Sequence, residues 1–480
     1  MRLTARSLAG CRRAPSLWQR LSGAFACAHA LTIDRTAFSR TISVLGVQLD
    51  GASCATFLDD AQPHLLRMQG VKPVRLGSKQ GRRLVLLSET LQDVYTTLPP
   101  DLQAAVVRAG GELETCNVTV GYDNLGAHEV LRTLLPADVT VPTGYEEVGH
   151  VVHLNLRAEQ KPHRYLIGQV LLDKLSPRVR TVVNKAEEIS SQFRSLPLEL
   201  IAGEDEYHVQ VQHGAARLRF DYSRVYWSSR LHSEHMRTVG HFARGDHVWD
   251  LFAGVGPFAM LAGLRGVSVL ANDLNPHACS ALMHNAQLNG VEHLVHAYNL
   301  DAATFVQAAT AALDGGSSQC IELREARQAA CQLISCADPK ALPKRARRNR
   351  NSGGEVNGIG AAAVHVSDAI EAAASEAEAV VPKHILMNLP ADSLRFLAAL
   401  EPLRDWLRAR AHAGDRVLPP VVHCYSFSTT EEGSPAQLQE ARKRVAEQLA
   451  GEQPTMLTVR TVRSVAPGKN MLCYEFPLDC

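Results

Sequence analysis

The sequence lacks motifs that several common classes of protein require. No two of its eleven cysteines form a Cys-x-x-Cys pair, so we expect reduced, mostly buried thiols and no metal site. It contains no uncharged apolar run of about 18 residues, the length of a membrane-spanning helix, so no span is predicted. Its formal net charge is +1, so any surface that binds a polyanion has to be local.

The composition is that of a multidomain globular chain. Its 480 residues suffice for about two to four domains, and a hydrophobic content of 46% supports sizeable cores. We predict two small modules of α/β or α+β type, at residues 34–110 and 111–228, before a larger α/β domain at residues 229–480. Apolar segments mark the modules at residues 41–49, 83–87, 151–156, 165–173 and 181–185, with a hairpin at residues 207–220.

Residues 1–33 differ from the rest of the chain. They contain five arginines and no acidic residue, and the first acid is Asp34. An arginine-rich, acid-free start is typical of a mitochondrial transit peptide, although an unstructured basic tail has the same composition. We therefore predict a location in the mitochondrial matrix, with the nucleus and cytoplasm as further compartments.

The most informative stretch is a strand that runs directly into a glycine turn. An apolar segment at residues 247–251 is followed by Gly254 and Gly256, and a second apolar segment ends at Asp273. The glycines allow a tight turn and a close approach of the backbone to a ligand. An acid at the tip of the second strand can bind both hydroxyls of a ribose, so the combination predicts a nucleoside cofactor.

Asp250 and Pro257 narrow the choice of nucleoside. A P-loop requires Gly-Lys-Ser/Thr after the turn, and Pro257-Phe258 stands there instead. The carboxylate of Asp250, at the end of the first strand, would repel a pyrophosphate but suits a cationic amino-acid moiety. S-adenosylmethionine carries such a moiety and is the predicted cofactor. A ligand-free turn and a nicotinamide oxidoreductase are the alternatives.

The larger domain alternates strand and helix patterns in the order expected for a doubly wound, mostly parallel, Rossmann-like sheet. Its strands are predicted at residues 247–251, 267–272, 294–299, 383–388, 419–427 and 456–463. An Ala-, Ser- and Gly-rich interruption at residues 308–380, with a basic run at 344–350, exceeds the short connection that such a fold needs. We predict a partly disordered insertion, which is either a solvated linker or a segment that contacts nucleic acid or serves as a nuclear address.

Three further segments fall where such a sheet binds its ligand. Asn388, within Met-Asn-Leu-Pro, closes the fourth strand and can present its amide to a planar base. Glu234 and His235 lie on a helix that leads into the first strand, although an exposed helix acid is the simpler interpretation of Glu234. The segment Ser-Val-Ala-Pro at residues 464–467 follows the last predicted strand and returns to the same rim.

Together these segments resemble the tRNA (guanine-37-N1)-methyltransferases of the eukaryotic and archaeal type. The likeness spans roughly residues 110–310 and 380–475 and is loose at residues 34–110. Its motifs begin at Asp250 (DLFAGVGPF), Asn272 (NDLNP), Asn299 (NLD), Met387 (MNLP), Ser464 (SVAP), Val183 (VNK), Phe193 (FR), Leu200 (LIAGE), Phe220 (FDYSRVYW) and Arg230 (RLHSEH). The resemblance implies a class I, S-adenosylmethionine-dependent methyltransferase domain preceded by two RNA-recognition modules, with tRNA as the partner of a monomer.

The same resemblance implies roles for individual residues. Glu234 stands where the family has its general base, Arg194 where an arginine assists at the guanine, and Asn388 where an asparagine contacts cofactor and target base. The cofactor-binding residues implied by the family or by the glycine motif are His235, Asp250, Gly254, Gly256, Asp273, Leu274, Asp301, Ala302 and Asn388. Tyr226 and Arg230 match neighbouring positions.

Methylation of guanine N1 suits these residue types. A carboxylate within hydrogen-bond reach can remove the N1 proton as the methyl transfers, and we expect an apolar enclosure to raise the pKa of Glu234 for this task. The negative charge that moves to O6 suits the guanidinium of Arg194. The sulfonium already activates the methyl group, so the scheme requires no metal.

Recognition of the RNA requires that the target base leave its stack, with binding through shape, phosphate contacts and stacking. Candidates for phosphate contacts are Lys174, Arg178, Arg180 and Lys185, for which ordinary surface cations are the alternative.

Two other functions of the protein stay open. One is transfer of the aminocarboxypropyl group of the same cofactor to a wyosine-type guanine derivative of tRNA, and the other is a catalytically silent RNA-binding relative.

Overall fold

The protein is described by a computed structural model over residues 33–79, 81–91, 98–186, 197–314, 323 and 380–479. Nearly all of the predicted transit segment and most of the predicted insertion lie outside the described residues. The chain divides into two units. The first comprises residues 1–145, 152–184 and 199–205, and the second comprises residues 146–151, 185–198 and 206–480. The predicted module boundaries at residues 110 and 228 stay predictions.

The described residues form short strands and helices that alternate along much of the chain. The strands are β1 Arg40–Asp50, β2 Val74–Leu76, β3 Arg82–Leu86, β4 Glu112–Val120, β5 Glu146–Val148, β6 Val151–Leu154, β7 Thr181–Lys185, β8 Leu198–Gly203, β9 His208–His213, β10 Ala216–Asp221, β11 His247–Asp250, β12 Ser268–Asn272, β13 Val295–Tyr298, β14 His384–Met387, β15 Val421–Ser428, β16 Thr458–Ala466 and β17 Lys469–Pro477. The α-helices are Cys54–Asp60, Pro100–Arg108, Ala127–Leu134, Arg164–Leu175, His232–Gly240, Pro257–Leu264, Pro276–Asn289, Ala302–Ala312, Glu401–His412 and Pro435–Gln448. Short 3₁₀ helices span Arg35–Phe38, Gly51–Ser53, Gln62–His64, Tyr122–Asn124, Lys161–His163, Ser229–Leu231 and Ser393–Leu400.

The first unit contains an antiparallel sheet in the order β2-β3-β1-β4, and β6, β7 and β8 are neighbours in a second sheet. The predicted segments 41–49 and 83–87 coincide with β1 and β3 within one residue at either end. Segment 165–173 lies instead within the helix Arg164–Leu175. Its buried apolar residues recur at helical spacing and pack into one core, as shown by Leu166, Ile167, Val170 and Leu171.

The second unit is built on a seven-stranded sheet with the order β13-β12-β11-β14-β15-β17-β16. The first five strands in this order pair in parallel, and β17 pairs antiparallel with both β15 and β16. This confirms the doubly wound, mostly parallel α/β sheet. The winding reverses between β11 and β14, which is where folds of this type leave a crevice at the carboxyl ends of the strands.

The core of the second unit explains why its strands could be predicted. Parallel strands covered by helices on both faces are continuously apolar, and Val248, Trp249 and Ile385 are almost fully buried. Phe305, on the helix after β13, packs edge-on against Trp249 with ring centroids 5.9 Å apart. The six predicted strands therefore match β11 to β16 within three residues at each end.

The chain beyond residue 463 was predicted incorrectly. Residues 464–466 do not follow the last strand but complete β16, and Gly468, with φ of 68°, turns the chain into the additional strand β17. This turn forms a hairpin, and β17 brings Met471 and Phe476 into the core. The predicted hairpin at residues 207–220 is confirmed, because β9 and β10 pair His213 with Ala216 around Gly214.

The predicted insertion begins later than residue 308. The helix Ala302–Ala312 continues through that position, and residues 308 and 309 are buried in the core. Of the rest, residues 315–322 and 324–379 lie outside the described residues. Among the described residues, no helix combines the length and apolar character needed to cross a membrane.

We predict that Phe305→Ala lowers the free energy of unfolding of the second unit by about 3–5 kcal/mol, because the ring is fully buried and leaves a cavity. Urea denaturation measures this. Leu418→Ala is the control, since that side chain is 84% exposed and its loss is expected to cost less than about 0.5 kcal/mol. Similar losses for both variants would contradict the assigned core.

Candidate active site

A cavity of about 730 Å³ lies at the carboxyl ends of β11, β12 and β14, within the second unit. The predicted site residues that line it are His235, Gly254, Asp273, Leu274, Asp301, Ala302 and Asn388, together with Tyr226. Asp250, Gly256 and Glu234 are not among the lining residues. The structure thus brings seven of the nine predicted cofactor residues together at the cavity, and the predicted base Glu234 does not line it.

The glycine turn has the backbone geometry that the sequence suggested. Gly254 and Gly256 have φ of 55° and 89°, in the left-handed region that favours glycine. A Cβ on Gly256 would lie 2.5 Å from Cδ1 of Leu282, whereas a Cβ on Gly254 would meet no atom within 4 Å. Gly256 is therefore required for packing at the start of the helix Pro257–Leu264, and Gly254 leaves open space for a ligand beside the backbone.

Asp273 is oriented by two backbone amides. Its Oδ2 accepts a hydrogen bond from the N–H of Gly254 at 2.8 Å, and its Oδ1 accepts one from the N–H of Asn275 at 2.9 Å. Burial raises the pKa of Asp273 above its ordinary value. Each carboxylate oxygen keeps a lone pair for a further donor, as the binding of two ribose hydroxyls requires.

Asp250 is fully buried behind the glycine turn. Burial, with a smaller contribution from the charge of Asp273, raises the pKa of Asp250 to about 8. A carboxyl in this state gains from a nearby cation, because a positive charge stabilises its ionised form.

Asn388 follows β14 in a loop that is held by Ser393. The Ser393 hydroxyl donates to the carbonyl of Met387 and accepts from the N–H of Leu389, both at 2.7 Å. The Oδ1 of Asn388 is buried and has no hydrogen-bond partner among the described residues. A buried acceptor without a donor in a cavity wall indicates a ligand that supplies one.

Asp301 starts the helix Ala302–Ala312. Its Oδ1 accepts a hydrogen bond from the N–H of Ala303 at 2.9 Å, so the side chain caps the helix. Asp301 is exposed at the cavity edge and Ala302 is buried beneath it. The pair therefore presents a carboxylate and a helix N-terminus at the same edge.

His235 is part of a chain of three histidines that the sequence did not suggest. Its Nδ1 lies 3.0 Å from Nε2 of His213, and Nδ1 of His213 lies 3.2 Å from Nδ1 of His232. Burial lowers the pKa of His213 to about 4 and the pKa of His235 well below its ordinary value, so both are neutral. His232 is exposed, and Nε2 of His235 is buried and has no partner among the described residues.

Glu234 lies on the helix His232–Gly240 and is only 6% exposed. Its carboxylate accepts hydrogen bonds from Arg237, from the hydroxyls of Thr238 and Tyr425, and from Arg460. The expectation of a raised pKa was wrong. Burial acts to raise the pKa of Glu234, but the hydrogen bonds from Arg237 and Tyr425 and the charge of Arg460 lower it below its ordinary value.

Arg237 connects Glu234 to a second, half-buried acid, Glu475, whose Oε1 lies 2.6 Å from Nη2 of Arg237. Glu475 also lies 3.3 Å from Nδ1 of His423, its partner in the β15–β17 register. The hydrogen bond from His423 and, against the effect of burial, the bond from Arg237 lower the pKa of Glu475 to about 2. A ring nitrogen of His423, the sulfur of Cys473 and a carboxylate oxygen of Glu475 lie within 4.8 Å of one another.

The remaining predicted residues stay predictions. Arg194 lies outside the described residues, and Arg230 is exposed in the helix Ser229–Leu231. Two of the proposed phosphate-binding cations already have partners: the Lys174 ammonium lies 3.9 Å from the ring centroid of Tyr122, and Arg180 lies 3.2 Å from Glu204.

The comparison with protein families and the comparison with individual proteins both match this chain to methyltransferases. Residues 209–314 match the TRM5/TYW2 methyltransferase domain family, and residues 127–206 match the TYW2 N-terminal domain family. The chain is 34% identical to a tRNA (guanine(37)-N(1))-methyltransferase of Coprinopsis cinerea, with 93% of each chain covered. It is 31% identical to a protein of the same name from Phytophthora infestans, with 93% of this chain and 92% of the relative covered.

Solved structures show the same fold. The structure described as the complex of aTrm5 and tRNALeu matches with a TM-score of 0.54 and 18% identity, over 90% of this chain and 99% of that chain. The structure of Trm5b from Pyrococcus abyssi matches with a TM-score of 0.50 and 20% identity, over 90% and 99%. The likeness confirms the Rossmann-like architecture of the second unit.

We predict that Asp250→Asn stabilises the second unit at pH 8 but has little effect on stability at pH 4. The folded-state pKa of about 8 lies above the ordinary value, so this carboxyl costs about 1.4 kcal/mol for each pH unit between those limits. The neutral amide lacks this dependence. Thermal unfolding of both proteins between pH 4 and pH 8 measures the difference in their stability. A difference that does not change with pH would contradict the raised pKa of Asp250.

Proposed function

This chain belongs to the tRNA (guanine(37)-N(1))-methyltransferase family, and from that membership we propose that it transfers a methyl group from S-adenosylmethionine to N1 of guanosine 37 in tRNA, beside the anticodon. The observation that carries the proposal is the match over 93% of both chains to the Coprinopsis cinerea relative, whose name states this activity. The cavity at the reversal of the sheet supports it, because that is where this fold binds a nucleoside cofactor.

The cavity residues fit S-adenosylmethionine. The absent side chain of Gly254 lets a ligand reach the backbone, and Asp273 offers two oriented acceptors to a ribose. The buried carboxyl of Asp250 favours a cationic amino group, and the unpaired Oδ1 of Asn388 requires a donor. When bound, the cofactor supplies an electrophilic methyl group on a sulfonium centre.

Glu234 is the proposed acceptor of the N1 proton. The groups around it hold the carboxylate ionised, as a proton acceptor must be. It does not line the cavity, but it lies on the helix His232–Gly240, which also carries the cavity residue His235. Asn388 orients the base, and Arg194 stabilises the charge that develops on O6.

A second function is supported by one observation, the match of residues 127–206 to the TYW2 N-terminal domain family. It is transfer of the aminocarboxypropyl group of the same cofactor to a wyosine-type guanine of tRNA. The two reactions use the same cavity but leave groups of different mass on different acceptor atoms, so the product distinguishes them.

We predict that the purified protein forms N1-methylguanosine at position 37 when it is incubated with an unmodified tRNA transcript and S-adenosylmethionine. Mass spectrometry of nuclease fragments identifies both the group and the position. A transcript with adenosine at position 37 is the control and is expected to stay unmodified. A product without N1-methylguanosine would contradict the proposal, and an aminocarboxypropyl adduct would favour the alternative.

A monomer is the proposed active form, as the resemblance to the methyltransferase family implies. Light scattering of the same preparation, with and without tRNA, measures the mass of the active species.

Import into the mitochondrial matrix is proposed from the five arginines and absent acids of residues 1–33, with the nucleus and cytoplasm as further compartments. We predict that these residues direct a fused fluorescent protein to mitochondria and that replacing the five arginines by alanine abolishes this. Microscopy of both fusions measures the outcome. Equal distribution of the two fusions would contradict a transit peptide.

A further inference from the structure

The two carboxylate oxygens of Glu234 accept different numbers of hydrogen bonds. Oε1 accepts from the hydroxyl of Tyr425 at 2.8 Å, from the hydroxyl of Thr238 at 3.1 Å and from Nη2 of Arg237 at 3.0 Å, and Nη2 of Arg460 donates to the same oxygen. Oε2 accepts only from Nε of Arg237, at 3.2 Å, among the described residues. The crowded oxygen is thereby fixed, and Oε2 keeps the lone pair that can take a proton.

Arg460 differs from the other donors in its position. It lies on β16, the edge strand of the seven-stranded sheet, next to register irregularities at Thr461/Arg463 and Ser464/Ala466. Its side chain is 32% exposed, and Glu234 is its only carboxylate partner among the described residues. Nε of Arg460 is buried without a partner among the described residues, and the other contact of the guanidinium is a long hydrogen bond of 3.4 Å from Nη1 to the carbonyl of Thr461.

The charges of the cluster show what Arg460 contributes. Arg237 is shared between two carboxylates, those of Glu234 and Glu475, and therefore neutralises only one of them. Arg460 supplies the second positive charge, which makes the set of two arginines and two glutamates neutral. Without Arg460, a half-buried cluster that contains the buried Glu234 would carry an unbalanced negative charge, which favours protonation of a carboxylate.

We propose that Arg460 is a positioning residue for methyl transfer, which anchors Oε1 of Glu234, keeps the carboxylate ionised and leaves Oε2 as the atom that accepts the proton from guanine N1. This inference rests on the proposed function. In the step itself, the N1–H bond breaks, its electron pair stays on the guanine and forms the new N1–CH3 bond, and the proton forms an O–H bond at Oε2. The methyl–sulfur bond breaks and its electron pair returns to the sulfur.

Other groups that face Glu234 do not replace Arg460. Thr238 and Tyr425 are uncharged donors on its own helix and on β15. Cys473 on β17 is held as a thiol, because burial and the nearby acids Glu475 and Glu234 raise its pKa. The positive charge that faces Glu234 from outside its own helix therefore comes from Arg460.

We predict that Arg460→Met moves the acid limb of the pH–rate profile to higher pH. Removal of the cation raises the pKa of Glu234, so a larger fraction is protonated and inactive at low pH. The single-turnover rate with saturating tRNA transcript and cofactor is expected to fall about tenfold more at pH 6 than at pH 8.5. The KM for S-adenosylmethionine is expected to change less than about twofold, since Arg460 does not line the cavity.

Three variants complete the experiment. Arg460→Lys keeps the charge and is expected to restore part of the profile, and Tyr425→Phe removes one donor and should move the limb in the same direction by less. Arg410→Met is the matched control, because it breaks an arginine–aspartate pair of 2.6 Å with Asp314, outside the cavity, and should leave the profile unchanged. Cofactor binding by calorimetry identifies any variant that does not fold, in which case Arg460→Lys and Tyr425→Phe decide.

If variants that still bind the cofactor lose the same fraction of the single-turnover rate at every pH, the role of Arg460 is structural and the proposal is overturned. Glu234→Gln with an undiminished rate would also overturn it, since no carboxylate would then need positioning. Failure of the proposed function is separate, because the unaltered protein would then form no N1-methylguanosine at all.

Discussion

A single half-buried hydrogen bond, donated by the amide of Gly254 to the carboxylate of Asp273 at 2.8 Å, joins the loops that follow β11 and β12. Hydrogen bonds to a carboxylate are strong in a buried setting, and the loss of either partner there is costly. The same side chain also holds the amide of Asn275, so one acid fixes both loops that border the crevice.

The surroundings of Glu234 follow a different principle, the balance of charge around a buried carboxylate. An apolar enclosure of Glu234 would raise its pKa, and the structure has instead surrounded it with two arginines and two hydroxyls. Under the proposed function, this arrangement makes Glu234 a weaker base but keeps its carboxylate ionised and oriented before the substrate binds. Asp250, in the same domain, differs from Glu234 because no arginine offsets its burial among the described residues. Its pKa therefore rises to about 8.

The sequence predicted the parallel core well, because buried strands such as β11 and β14 are uniformly apolar and end in polar residues at the ligand edge. It failed for β17, whose pairing depends on one glycine turn at residue 468. The contact between Glu234 and Arg460 joins residues 226 positions apart, so no local pattern could indicate it. The sequence also gave no sign that His423 and Glu475 are cross-strand partners, because this follows only from the pairing of β15 with β17. Arg194 and the inserted segment stay at the level of sequence-based prediction.

The three linked histidines have a consequence for what the cavity wall presents. Each neutral imidazole bears one hydrogen, so the direction of one hydrogen bond in the chain fixes the next. If His232 carries a hydrogen on Nδ1, His213 must donate from Nε2, and His235 then exposes an N–H towards the ligand. If His232 accepts at Nδ1, every bond reverses and His235 offers a lone pair. The position of the hydrogen on one solvent-facing ring therefore selects the tautomer of the buried His235, two hydrogen bonds away, and with it whether that ring offers a donor or an acceptor at Nε2.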